Sequence, residues 1–291
     1  MQLGIVGLGR MGGNMRDRLH ATGHDVVGYD HDPERSEATS LTDLVDRLTP
    51  PRVVWLMVPA EVTGSVIDEL APALQTGDVV VDGGNSHFAQ ARARADQLAR
   101  RGVGYVDVGV SGGVWGVEEG YALMVGGARE HVDRCMPIFE ALKPSGEFGL
   151  VHAGGAGAGH YAKMVHNGVE YGLMQAYAEG YELLTRSELV TDVPGVIRSW
   201  RAGTVIRSWL LDLLDRALDE DPRLASVSDY VEDTGEGRWM VQEAARLGVP
   251  VNAMAASLFA RFASRQDDSP AMKAVAALRG QFGGHPVERE G

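Results

Sequence analysis

Leu3-Gly4-Ile5-Val6-Gly7-Leu8-Gly9-Arg10-Met11-Gly12 opens the chain with an apolar run of strand length that passes straight into a GxGxxG turn. A helical stretch follows, and a second β-rich run ends in Asp30, eighteen residues beyond Gly12. Strand, glycine turn, helix, strand and acid in this order fit a turn whose backbone approaches a pyrophosphate, with the charge on the helix N-terminus. Gly7, Leu8, Gly9, Arg10, Met11 and Gly12 are therefore the expected dinucleotide loop. A carboxylate at Asp30 accepts hydrogen bonds from ribose hydroxyls and repels a 2′-phosphate, which favours NAD and makes NADP the less favoured cofactor. Asp32 adds to that repulsion, and Arg35 is the one nearby cation that relieves it.

Working outward, β-rich runs recur at Val26 to Tyr29, Val53 to Val58, Val79 to Asp82, Tyr105 to Val110 and Ala122 to Val125. Amphipathic stretches such as Val62 to Leu74 and Ala89 to Leu98 lie between them. This alternation predicts an α/β, doubly wound, Rossmann-type parallel sheet over residues 1–158, with ligands at the carboxyl ends of its strands. Three more loops fall at such ends: Val58-Pro59-Ala60-Glu61, Gly83-Gly84-Asn85-Ser86 and Ser111-Gly112-Gly113-Val114-Trp115-Gly116. Glycine pairs beside one amide or hydroxyl suit close approach to a small polar ligand, although any one of them also reads as an ordinary turn.

Past Gly159 the strand signal stops. Helical patterns cover Tyr161 to Thr185, Val193 to Ala202, Thr204 to Leu218, Trp239 to Leu247, Ala253 to Gln266 and Ala271 to Arg279, giving an all-α domain over residues 159–291. In its first helix Lys163, His166, Asn167, Glu170 and Tyr171 recur at intervals of three and four, so they share one face. From Val151 to Ala178 only Lys163 and Glu170 are charged. A solvated face carries more charge than that, so the helix reads as buried on most sides, with two ionisable groups whose burial is costly unless they are paired, neutralised or used. Arg207, in Val205-Ile206-Arg207-Ser208-Trp209, and Arg238, after Gly235-Glu236-Gly237, are cations able either to hold a phosphate bidentately or to pair with a carboxylate.

Composition bounds the rest. The 291 residues suffice for two domains, and 44% apolar with 23% charged residues is ordinary globular usage. A net charge of −13 disfavours nucleic acid and anionic membranes across the general surface, so an anionic ligand must be held by a few specific cations. No apolar run reaches the roughly 20 residues of a membrane span, and the strand beginning beside Met1 leaves no room for a signal peptide. Cys135 is the only cysteine, which excludes an internal disulfide, and no Asp/Glu/His cluster has ligand spacing, so no metal is implied. A cytoplasmic protein is the consistent expectation.

Taken together, Asp82-Gly83-Gly84-Asn85-Ser86, Ser111 to Gly116, Lys163 to Gly172 and Val205 to Leu211 resemble the decarboxylating 6-phosphogluconate dehydrogenase family over almost the whole chain, in its short form. The resemblance implies oxidation and decarboxylation of a phosphorylated sugar acid with hydride transfer to NAD. An unphosphorylated or smaller 3-hydroxy acid is the alternative. It implies Lys163 as general base and Glu170 as general acid. Asn85, Ser111, Gly112, Gly113, His166 and Asn167 would hold the carboxylate and hydroxyls; Tyr171, Arg207 and Arg238 would hold the phosphate. Arg238 stands where the long form usually has lysine. Met11 would lie against the nicotinamide, with Val58, Pro59 and Asn85 also at the cofactor. A homodimer is implied, with Arg279 and His285 of the C-terminal tail entering the partner's site. For Lys163 to accept a hydroxyl proton it must shed its own, against an ordinary pKa of about 10.4, and an apolar setting favours that.

Overall fold

The computed structural model describes residues 1–283 and divides into two compact units, Met1–Asn167 and Gly168–Gly291. In the first unit, strands β1 (Gln2–Val6), β2 (Asp25–Tyr29), β3 (Val53–Leu56), β4 (Val79–Asp82), β5 (Gly104–Ser111), β6 (Ala122–Gly127) and β7 (Leu150–Gly154) form one sheet. Its order is β2-β1-β3-β4-β5-β6-β7. Helices α1 (Arg10–Ala21), α2 (Leu41–Asp46), α3 (Ala60–Leu70), α4 (Phe88–Ala99), α5 (Gly116–Glu119) and α6 (Arg129–Leu142) connect the strands.

The expected double cover is present. Side chains alternate along a strand, yet Val79, Val80 and Val81 are all 0% exposed. Leu3, Ile5, Trp55, Val79 and Val81 join α1 and α6 in one core, whereas Val54, Leu56 and Val80 join Leu44, Ile67 and Leu98 in the other. Trp55 meets Phe139 edge-to-face at 5.9 Å. Each fully buried aliphatic or aromatic side chain of this kind contributes roughly 1.5–3 kcal/mol from removal of apolar surface.

Two features depart from the parallel sheet read from the sequence. Strand β6 runs antiparallel to β5. The connection from Ser111 to Ala122 is shorter than the dozen or more residues a parallel crossover requires, so the chain turns back. Strand β7, unforeseen, pairs parallel with β6, after the α6 crossover. Its residues, Leu150–Gly154, lie just before the 158/159 domain division read from the sequence, where no strand was expected.

Helix α7 (Ala158–Arg186) contributes its first turns to the first unit and the remainder to the second. The expected helix burial is only partly correct: Val165, Val169 and Leu173 are 38%, 45% and 43% exposed. At four-residue spacing they form an apolar stripe on one side, while Lys163 and Glu170 are half-buried.

In the second unit, α8 (Val193–Trp200) and α9 (Trp209–Glu220) pack Ile197, Leu211 and Leu218 against Tyr177, Tyr181 and Leu184 of α7. The buried Asp215 is held by Arg198 at 3.1 Å and by Arg201. Helices α10 (Glu236–Leu247), α11 (Asn252–Ala263) and α12 (Pro270–Gly283) complete the described chain. Sequence periodicity started α9 at Thr204, but the Ser208 side chain accepts from Leu211 N and caps the helix there. Arg207 consequently lies in an exposed segment before the helix, beside exposed Val205 and Ile206. The apolar run around Arg207 in the sequence therefore does not bury its guanidinium.

Among the described residues, no helix is long and apolar enough to cross a membrane, and no group of three or more metal-ligating side chains occurs.

Candidate active site

The glycine loop after β1 has the shape its residue types demand. Gly7 has φ +91°, and a Cβ there would stand 2.6 Å from the Met57 carbonyl oxygen. A Cβ on Gly12 would overlap the Gly7 carbonyl oxygen. Gly9 differs, since a Cβ added to it meets nothing within 4 Å. That position opens onto free space at the N-terminus of α1, which has no side-chain cap and no acidic residue in its first turn. Backbone N–H groups facing open space at an uncapped helix start suit a pyrophosphate. Arg10 is exposed there, and Met11 is half-buried against the core.

Asp30 is 7% exposed and already occupied. One oxygen accepts from Leu8 N at 2.6 Å; the other accepts from Asp32 N at 2.9 Å and lies 2.9 Å from His31 Nδ1. Burial alone would raise its pKa, but the Asp32 and Leu8 N–H groups, with His31 and Arg35 nearby, hold it below the ordinary carboxylate value. Asp30 thus ties the glycine loop to the end of β2. Arg35 pairs with Asp32 at 3.2 Å.

The other strand ends are shaped by close backbone approach. A Cβ on Gly84 would stand 2.6 Å from the Val58 carbonyl oxygen, so the Gly83-Gly84-Asn85-Ser86 loop lies against the Val58-Pro59 turn. Pro59 and Asn85 are exposed. Gly112 and Gly113 have φ +142° and +54°, which let the chain leave β5 into a short 3-10 turn.

Strand β5 and helix α7 bring several of the expected residues close to one another. Ser111 Oγ lies 3.4 Å from His166 Nε2, and His166 Nδ1 lies 3.2 Å from Asn167 Oδ1. Asn167 is 9% exposed. Gly109 faces Lys163: a Cβ on Gly109 would overlap Lys163 Cβ and stand 2.7 Å from the Gly159 carbonyl oxygen. The structure therefore brings together Ser111, Lys163, His166 and Asn167.

In the second unit Tyr171 is 6% exposed. The Arg261 guanidinium stacks on its ring, 3.4 Å from the centroid, and a Cβ on Gly237 would stand 2.8 Å from Tyr171 Cε2. Arg238, next in the chain, is half-exposed and lies 2.8 Å from Asp233, whose other oxygen lies 2.9 Å from Arg265. Burial raises the Asp233 pKa, but Arg265 and Arg238 more than offset it, so its carboxyl is held below the ordinary value. Tyr171 thus has the Arg261 guanidinium on its ring and Gly237, the residue before Arg238, against its edge. Sequence reading missed Arg261, although it is the only charged residue of α11 and stands in the apolar run Leu258-Phe259-Ala260-Arg261-Phe262. Arg207 stands in the exposed segment before α9, and Arg279 is exposed on α12. His285 lies outside the described residues.

Known proteins match along almost the whole chain. Residues 2–147 match the NAD binding domain of 6-phosphogluconate dehydrogenase, and residues 159–284 match its C-terminal domain. The chain is 45% identical to the NAD(+)-dependent, decarboxylating 6-phosphogluconate dehydrogenase of Haloferax volcanii, covering 100% of this chain and 99% of that protein. It is 38% identical to the putative 6-phosphogluconate dehydrogenase YqeC of Bacillus subtilis, covering 100% of both. Among solved structures, the Plasmodium falciparum 6-phosphogluconate dehydrogenase, determined with NADP+ and with 6-phosphogluconate, superposes with a TM-score of 0.84 at 25% identity; all of this chain aligns with 66% of that one. The chain belongs to the 6-phosphogluconate dehydrogenase family, whose reaction is the oxidative decarboxylation of 6-phosphogluconate with hydride transfer to NAD or NADP.

Proposed function

We propose that this chain carries out that reaction with NAD as the preferred cofactor, Lys163 as general base and Glu170 as general acid, within a domain division at residues 158/159. The observation that carries the reading is the seating of Lys163, on α7, against Gly109 of β5, beside Ser111, His166 and Asn167. NAD, when bound, would supply the hydride acceptor. Lys163 takes the proton of the C3 hydroxyl as hydride leaves carbon 3. The resulting ammonium then stabilises the oxygen of the 3-keto acid while carbon dioxide departs, and it returns its proton to that oxygen. Glu170, seven residues and about two turns further along α7, protonates carbon 1 of the enediol while Lys163 takes back the proton of the neighbouring hydroxyl, which leaves the ketone. Asn85, Ser111, Gly112, Gly113, His166 and Asn167 hold the carboxylate and hydroxyls. Gly7, Leu8, Gly9, Arg10, Met11, Gly12, Asp30, Val58 and Pro59, with Asn85, receive the cofactor.

The phosphate belongs with Tyr171, Arg238 and Arg261, and Arg207 extends that set. Charge-assisted hydrogen bonds are worth roughly 1.5–3 kcal/mol each, about ten- to a hundredfold in affinity. Arg261→Ala should therefore raise KM for 6-phosphogluconate by about that factor and leave the Kd for NAD and the slow turnover of gluconate unchanged. An unaltered KM would remove Arg261 from the site.

The cofactor preference rests on Asp30 and Asp32, two carboxylates where a 2′-phosphate would sit, with Arg35 engaged by Asp32. The ratio kcat/KM should favour NAD over NADP by more than about tenfold, or 1.4 kcal/mol of discrimination. Equal or inverted ratios would overturn this preference.

A homodimer with a shared site is supported by the apolar stripe Val165, Val169 and Leu173 on α7. Arg279 and His285 are proposed to act in the partner's site. Mixing inactive Lys163→Met and Arg279→Ala chains should then restore a fraction of activity, and no restoration would place the tail in its own subunit.

A further inference from the structure

Beneath the site of the first unit lies a buried polar assembly to which the reaction assigns no role. Asp82, at the end of β4, and Asp107, on β5, are register partners, and both are 0% exposed. The Asp82 carboxylate accepts from Arg94 at 2.7 Å and Tyr105 at 3.0 Å through one oxygen. Through the other it accepts from Ser86 Oγ at 3.2 Å and Gly84 N at 3.3 Å. It therefore fixes the backbone on both sides of Asn85. The Asp107 carboxylate accepts from Gly157 N at 2.7 Å and His160 N at 2.9 Å, which anchors the first turn of α7. Its charge also favours that helix end.

Beside the pairing of β4 with β5, a side-chain hydrogen bond joins the two halves. His160, 4% exposed, lies with Nε2 3.1 Å from the Asp82 carbonyl oxygen. A carbonyl only accepts, so the ring proton is on Nε2. Nδ1 is buried and makes no hydrogen bond among the described residues. His160 is three residues before Lys163 and seven before Asn167, so all three lie along one face of α7. The helix that carries Lys163 is thereby pinned, one turn before the lysine, to the residue from which the Asn85 loop departs.

We propose that His160 is a positioning residue for this reaction: through Nε2–H to the Asp82 carbonyl it sets the separation between Lys163 and the Asn85 loop, with Asp107 holding the helix start. The assignment rests on Lys163 being the base. It predicts that loss of the link moves the base against the substrate and leaves the cofactor loop, on β1 and α1, untouched. A misplacement of about 1 Å at a reacting group costs on the order of 10²-fold in rate.

The test compares Lys163→Met, His160→Leu, His160→Gln and His160→Asn in the full chain. Glutamine carries an amide N–H far enough along its side chain to replace Nε2; asparagine is too short. His160→Leu and His160→Asn should lower kcat by about 10²-fold, leave the Kd for NAD within about twofold, and enlarge the isotope effect on kcat with substrate deuterated at carbon 3. His160→Gln should recover kcat to within about fivefold of the parent. Should leucine prevent folding, the glutamine and asparagine pair carries the same comparison. Parental kcat in His160→Asn, or equal losses with glutamine and asparagine, would overturn the positioning role. Retained turnover in Lys163→Met would instead overturn the assignment of the base, so the two failures are distinguishable.

Discussion

Lys163→Met is expected to lower kcat by about 10² to 10⁴ or more, with little change in the affinity for NAD. Methionine keeps the length and apolar contacts of the lysine stem and removes the amine. The Gly109 seat accepts any side chain with an ordinary Cβ and Cγ, so the helix should stay in place. The loss then reports the proton acceptor and the charge that faces the developing oxygen anion. Both effects belong to the transition state, so kcat should fall with kcat/KM, and KM should move far less. Fluorescence titration with NADH and steady-state turnover of 6-phosphogluconate on the same preparation separate binding from chemistry. Turnover within tenfold of the parent, on the same scale, would remove Lys163 from the role of base.

Gly109→Ala should have nearly as large an effect, although glycine carries no side chain to take part in the reaction. The difficulty is space, because Gly109 is not among the residues of positive φ. Its Cβ would overlap Lys163 Cβ and stand 2.7 Å from the Gly159 carbonyl oxygen and 3.3 Å from Lys163 Cγ. The first two belong to the helix itself and do not swing aside as a side-chain tip would. Relief therefore requires α7 to lift from β5, against the Asp107 anchor and the His160 link. Overpacking of this kind costs roughly 1–3 kcal/mol of stability. The accompanying displacement of Lys163 should lower kcat by about 10²-fold, while the glycine loop after β1 keeps its affinity for NAD. Thermal unfolding, NADH titration and kcat on one variant check all three. A kcat within about twofold of the parent would show that the close approach of β5 and α7 does not set the position of the base.

How much of this was legible in the chain depends on the range of the interaction involved. The glycine loop, the alternation of strand and helix and the stripe from Lys163 to Tyr171 are local patterns, and each is present where the residues place it. Strand β7 was not legible: it is bounded by glycines, has only Leu150 and Val151 as strand-favouring apolar residues, and leaves Val151 half-exposed, so its residue types did not distinguish it from a linker. The start of α9 was readable in principle. Ser208 is a capping residue four positions before Asp212, and apolar periodicity upstream outweighed it in the sequence reading. Arg261 had a weaker local signal, a single cation in an apolar helix, and its meaning appears only with the Tyr171 ring beneath it. The tie between His160 and Asp82 spans 78 residues, and no spacing rule reaches that far.

Exposure was the other property that periodicity misjudged. A helix of Ala, Gly, Met and Val reads as interior, yet Val165, Val169 and Leu173 face outward along α7. Sequence pattern records which side of a helix is apolar and does not say whether this chain or another covers it.

The stoichiometry of the reaction tests the whole account most directly. Purified chain supplied with NAD and 6-phosphogluconate should form one NADH for each carbon dioxide released, with far slower turnover of gluconate and 3-hydroxyisobutyrate. NADH formation without carbon dioxide, or an unphosphorylated 3-hydroxy acid turned over faster than 6-phosphogluconate, would contradict it.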